Sequence, residues 1–251
     1  MTRPDLTKTL GHGTPDWGFQ RSVYQVFPNL DLAELAVRLG SPDIFNRSGT
    51  VLFYDDFSLG LTKGKPAQTQ AGTVPALSVA RAGLSGYTAL CKTAAVVDAE
   101  SYMFYRVSIP QLTKMGLEGG MDLGENGAMW QLRLYTWDGT FQHLAGLRFD
   151  PSIDTLYYWS SAATWVAAAT NLSHLVDDYL FHVMKLIIDP ATKKYVRAIY
   201  NDRVIDLSTI SYQTIAETTA PSVAINAAAV ARTAAVWTTY LSHVIFTINE
   251  P

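Results

Sequence analysis

Three carboxylates at close spacing, Glu118, Asp122 and Glu125, are the residues of this chain nearest to a catalytic set. Paired acids of this kind break glycosidic bonds when one serves as nucleophile and the other as acid/base, with the carboxyl groups roughly 5–5.5 Å apart. A strand can hold such a pair, because alternate residues share one face. Here the acids fall in the glycine-rich run GLEGGMDLGENG and read as loop residues, so no pair is fixed on one strand. Asp122, Glu125 and Asn126 also offer oxygen ligands of the kind calcium takes, but their spacing follows no regular ligand loop, and no metal is expected. Asp55 and Asp56 are adjacent, so on a strand they point to opposite faces; they read as turn-stabilising carboxylates at a strand edge. His12, His143, His174, His182 and His243 are scattered singly, without HExxH, zinc spacing or a GxSxG elbow, and read as packed or surface histidines. GLTKGK at 60–65 lacks the rest of a phosphate loop, and Cys91 reads as a small buried hydrophobe. No catalytic residue and no cofactor is expected.

Aromatic residues offer a different chemistry. Tyr157, Tyr158, Trp159 and Trp165 gather around one predicted turn, with Trp130, Tyr135 and Trp137 on a nearby strand. Sugar rings stack on exposed aromatic faces, which makes a glycan platform one reading. Alternation sends about half of these side chains into the core, and the rest suit a protein interface, where Tyr and Trp are enriched. Core plus protein interface is the expectation; a glycan is the alternative ligand.

The elements that would position these residues are mostly strands. Trp130, Leu132, Leu134 and Thr136 alternate with Gln131, Arg133, Tyr135 and Trp137, and Asp138-Gly139 follows as a hairpin signal. Phe141–Phe149 returns, Asp150-Pro151 ends it, and Thr155–Trp159 opens another strand. His182–Ile188 and Tyr195–Tyr200 form a hairpin across DPATKK, Asn201-Asp202 turns into Arg203–Leu207, and Trp237–Ile248 closes the domain. The alanine-rich 215–233 has helix propensity, yet its strand context favours a strand with a loose loop. Strand after strand without long helices between them implies antiparallel sheets packed face to face. The expected class is all-β, a two-sheet antiparallel sandwich over 51–251.

Residues 1–50 read differently, as an arm rich in Pro, Gly, Thr and aromatics. Within it Leu32, Leu35, Ala36 and Leu39 form the stripe of a short helix over 31–39, capped by Gly40. Such a helix must dock on something to be stable. Trp17, Phe19, Tyr24 and Phe27 are surplus to a sandwich core and are candidates, with Leu32, Leu35 and Leu39, for an assembly contact.

Charged residues are 16% of the 251, few for a solitary soluble surface. The net charge of −3 and the absence of basic clusters argue against nucleic acid. No apolar run reaches the roughly 20 residues needed to span a bilayer, and the N-terminal stretch shows no signal-peptide core. The chain is expected to be made in a cytoplasm.

Three segments resemble concanavalin A-like lectins and glucanases: VLFYDDFSLG (51–60) their opening strand, HVMKLIIDPATKKYVRAIYNDRVIDLS (182–208) a later hairpin, and LSHVIFTINEP (241–251) a closing strand that pairs near the first. The resemblance implies a jelly-roll sandwich and says little of function. Its laminarinase-like branch carries Glu-x-Asp-x-x-Glu on one strand, a spacing missing here. The helix leading into FNRSGTVLFYDDF is similar to uncharacterised proteins of tailed phages and bacteria, some of them virion components. Together these imply a non-catalytic assembly protein: a phage virion component, capsid-decorating or tail-associated, partnered by its own copies and by capsid or tail protein as a closed homo-oligomer.

Overall fold

The structure, a computed structural model, describes residues 49–70, 72–107, 113–123, 128–174 and 180–251. These belong to the second of two units of the chain, Arg47–Pro251. The assembly-arm residues Trp17, Phe19, Tyr24, Phe27, Leu32, Leu35 and Leu39 lie outside the described residues, as do Glu125 and Asn126.

Among the described residues there are sixteen strands: β1 (Thr50–Asp55), β2 (Lys65–Gln68), β3 (Thr73–Ser78), β4 (Thr88–Lys92), β5 (Glu100–Val107), β6 (Met115–Asp122), β7 (Ala128–Trp137), β8 (Phe141–Asp150), β9 (Thr155–Trp159), β10 (Trp165–Ala169), β11 (Phe181–Asp189), β12 (Lys194–Tyr200), β13 (Arg203–Asp206), β14 (Gln213–Ala216), β15 (Ser222–Ala231) and β16 (Thr238–Ile248). Sheet I runs β13-β12-β11-β6-β16-β4-β3 with β1 on β16; sheet II runs β10-β9-β8-β7-β15-β5-β2 with β14 on β8. Neighbouring strands pair antiparallel, including β1 with the closing β16. The expected all-β, two-sheet sandwich is what the sequence forms.

Period-two alternation explains the core. From sheet II, Trp130, Leu132 and Leu134 of β7 and Val223, Ile225, Ala227 and Ala229 of β15 point inward. They meet Met115, Leu117 and Met121 of β6, Met184, Leu186 and Ile188 of β11, and Val244 and Phe246 of β16. The alanine-rich segment is a strand, as preferred, because alanines small enough for both faces let β15 sit deep between β5 and β7. Asp138 makes its turn as expected: its Oδ1 accepts the N–H groups of Thr140 (2.8 Å) and Phe141 (2.7 Å), and Gly139 takes the left-handed φ of +97°.

One reading is corrected. Glu118 and Asp122 are not loop residues; they lie on β6, a central strand of sheet I. Glycine usually weakens a strand, but here its missing side chain is needed. A Cβ on Gly116 would come within 2.6 Å of Glu250 Oε1, and one on Gly120 within 2.5 Å of Ser242 Oγ. The space above β6 is filled by side chains reaching over from its neighbours.

Trp130 is fully buried at the centre of this core. Trp130→Ala is expected to lower the unfolding free energy by about 3–5 kcal/mol, measured by urea titration with the denaturant slope unchanged.

Candidate functional site

Both outer faces carry polar clusters, and the one on sheet I holds the acids that the sequence put forward. On β6 the core takes Met115, Leu117 and Met121, so Glu118 and Asp122 share the outer face. They stand four residues apart, which places them roughly 13 Å from each other along the strand. Each carboxylate also has a base. Asp122 Oδ2 takes Arg81 Nε at 3.1 Å, and Glu118 Oε1 stands 3.6 Å from His243 Nε2. Lys185, opposite Glu118 in the β6–β11 register, reaches Glu250 Oε1 at 2.8 Å. Thr247 Oγ1 donates to the same Glu250 oxygen. A register slip between Leu241 and His243 brings Ser242 and His243 beside Gly120, with Ser242 Oγ 2.8 Å from His243 Nδ1. All of these groups except Arg81 are buried, and the charges of the Arg81–Asp122 and Lys185–Glu250 pairs are matched in place.

Sheet II presents a different surface, built around β15. Its outward residues Ala224, Asn226 and Ala228 are short, while β5 on one side offers Glu100, Tyr102, Phe104 and Arg106. On the other side β7 offers Gln131, Arg133, Tyr135 and Trp137. Long side chains therefore cross over the alanines. Arg133 spans from β7 to Glu100 in a two-pronged pair, Nη2 to Oε1 at 2.7 Å and Nη1 to Oε2 at 3.3 Å. Gln131 sits between, donating to Glu100 Oε1 (3.1 Å) and accepting from Arg148 Nε (3.0 Å) and Nη2 (2.8 Å). Arg148 also bonds Asp98 at 3.1 Å and lies 4.5 Å from the centre of the Trp165 ring. Burial pulls the Arg148 guanidinium down from its ordinary pKa, and the Asp98 carboxylate opposes that shift. Arg106 covers Trp137 at 5.7 Å, and Tyr135 stacks on Trp137 at 6.1 Å. Between these bridges Asn226 keeps a buried Oδ1 without a hydrogen-bond partner.

Of the aromatic set read from the sequence, Tyr157, Trp159 and Trp165 come together on this face, half-buried. The Trp159 and Trp165 rings meet edge to face at 5.0 Å, and Trp159 Nε1 donates to Gln213 Oε1 at 2.7 Å. Tyr158 turns inward instead, edge-on to Tyr195 at 5.9 Å. Trp130 is core, whereas Tyr135 and Trp137 join the platform. Gly146 makes room for this, since a Cβ there would come within 3.1 Å of Trp165. Sequence reading missed Glu100, Tyr102, Phe104, Arg106 and Arg148. The first four were legible as one alternating run against Ser101, Met103 and Tyr105 of β5; Arg148 had no local signal.

Asp55 and Asp56 each bind a backbone N–H two residues on, of Phe57 (3.0 Å) and Ser58 (3.1 Å), in the expected turn-stabilising role. Burial pushes the Asp55 carboxyl up, while Tyr105 OH donates to it at 3.2 Å. At the hairpin end His143 bridges Asp138 Oδ2 and Thr214 Oγ1, both at 3.1 Å. The N–H groups of Phe141 and Thr140 hold the Asp138 carboxyl down at about 2, helped by His143.

No protein-family model matches the chain, and no curated protein matches it. Among solved structures it is similar to a Bacillus subtilis protein of unknown function with a galectin-like fold, at 11% identity and a TM-score of 0.51, covering 80% of this chain and 97% of that one. It is also similar to a sialidase, at 9% identity and 0.51, covering 80% of this chain but only 19% of the sialidase. The fold is a two-sheet antiparallel jelly-roll sandwich, similar to a galectin-like fold. A carbohydrate-binding module of the Lactobacillus casei phage J-1 evolved Dit protein scores 0.45 at 11% identity, over 81% of this chain and 98% of the module, too low to carry an argument.

The depressed Asp138 carboxyl has a definite sign. Its ionised form is favoured by folding, so its contribution to stability is present above the ordinary carboxylate range near pH 4 and fades as pH falls toward about 2. Asp138→Asn is expected to melt below the parent at pH 6, with the difference shrinking as pH drops to about 2; paired thermal melts over that range check it.

Proposed function

We propose that the protein is a non-catalytic assembly subunit, a structural component of a larger particle such as a phage virion, capsid-decorating or tail-associated. In this reading it meets a protein partner on the outer face of sheet II and is made in the host cytoplasm.

One observation carries the choice of a protein over a sugar: the rings on this face are already engaged. Arg148 lies over Trp165, Arg106 and Tyr135 flank Trp137, and the Trp159 N–H is held by Gln213. A sugar needs free ring faces and free polar groups. A protein partner instead packs on a rigid Tyr, Trp and Arg surface most of whose polar groups already have partners, as interface anchors do. Support also comes from the sparse charge of the chain and from the surplus aromatics of residues 1–50. The pairing of Asp122 with Arg81 and of Glu250 with Lys185 supports the non-catalytic reading. The reading calls for no metal or cofactor, and for neither nucleic acid nor membrane as partner.

A lectin is the rival class, favoured by the half-exposed Tyr157, Trp159 and Trp165 and by the unpartnered Asn226 acceptor.

Two measurements separate these. The native mass of the full chain is expected to be that of a closed oligomer, falling when residues 1–40 are deleted. A soluble monomer whose stability ignores the deletion contradicts assembly. On a glycan array the protein is expected to stay blank; millimolar or tighter binding that disappears in Trp159→Ala favours the lectin.

A further inference from the structure

We infer that two copies of this chain join edge to edge through β10, continuing sheet II across a two-fold axis. The inference rests on the assembly reading and names one partner within it: a second copy.

A free sheet edge presents unpaired N–H and C=O groups, and proteins that stay single blunt such edges with charge, proline, bulges or shortness. Six strands of the described residues border their sheets, and five of them carry or adjoin a charge or a proline at that edge. Edge β2 carries Lys65 and Pro66, and β13 carries Arg203 and Asp206. In β3, Pro75 sits within a register slip between Thr73 and Ala76. Strand β1 slips between Val51 and Phe53, and Lys63 Nζ takes the carbonyl of Tyr54 at 2.9 Å. Strand β14 is only four residues long and runs into Glu217.

Edge β10 is different. From Ser160 through Ser173 there is neither a charged residue nor a proline. Val166 is 38% exposed and Ala167 is exposed beside it. Its one irregularity is a slip between Ala167 and Ala169, which leaves Trp165–Ala167 as regular strand.

The same features select the occupant. A charge-free strand laid antiparallel on its own copy brings no like charges together, and its alanines allow close approach. Two identical antiparallel strands are self-complementary about a two-fold axis. The opposite edge of sheet II is closed by Lys65 and Pro66, so the pairing stops at two copies and does not run on into a fibre. Joined this way, the Trp159–Trp165 pairs of both copies flank the seam, and the two sheet II faces become one partner-binding surface.

The test uses the full chain with Val166→Cys, Ala167→Cys and Ala168→Cys made singly. Facing non-hydrogen-bonded strand residues have Cα atoms about 4.5 Å apart, within disulfide reach. The native Cys91 is fully buried and does not compete. Under mild oxidation at least one variant is expected to convert almost wholly to a covalent dimer. Val166→Lys is expected to halve the native mass while leaving the circular-dichroism spectrum of the folded sandwich unchanged. An assembled chain in which no position cross-links and Val166→Lys keeps its mass overturns the β10 seam but leaves assembly standing. A monomeric native chain overturns both.

Discussion

Two strands with small residues at alternate outward positions set what this sandwich can do. On β6 Gly116 and Gly120 alternate with Glu118 and Asp122; on β15 Ala224, Asn226 and Ala228 lie between Ser222 and Val230. Each strand lies inside its sheet, so its neighbours on both sides can lean over it and meet. Buried charge is tolerated only when it is paired and hydrogen-bonded. The bare strands supply the room in which Lys185 reaches Glu250 and Arg133 reaches Glu100. Filling either trough with larger side chains would strand those charges rather than merely crowd them.

The same constraint explains what could and could not be read from the sequence. Strands whose inward residues are large and apolar were legible, because period-two alternation records a core directly. Strands β7, β11, β12 and β16 fall where the pattern put them. Strand β6 was opaque because its glycines answer to side chains distant in sequence, Ser242, Thr247 and Glu250, and no local rule reports them. The aromatic platform was half legible. Tyr157, Trp159 and Trp165 declared themselves by type, but alternation alone could not say that Tyr158 is the one turned inward. The network that holds the platform flat joins Glu100, Gln131, Arg133 and Arg148 from three strands, a relation that spacing in one strand cannot encode.

Rigidity is the functional consequence on sheet II. Arg148 is fixed by Gln131, Asp98 and the Trp165 ring at once, and Gln131 is itself fixed by Glu100 and Arg133. Side chains already held in one conformation have little conformational entropy left to lose, so this face keeps one shape. The burial of Gln131 and Arg148 makes this order costly to break from within, since removing any member leaves another polar group unpaired.

That logic also bears on the acids of sheet I: under the non-catalytic reading we propose, their pairing serves the fold, although the jelly-roll scaffold accommodates many chemistries. A catalytic carboxylate must be free to take or give a proton, or to attack a carbon. Freeing Asp122 would mean removing Arg81, and freeing Glu250 would mean removing Lys185. Each change leaves a buried charge without its partner, at about 3–5 kcal/mol, a large part of the stability of a domain. The acids Asp122 and Glu250 are therefore tied to the fold by the same pairing that lets them be buried.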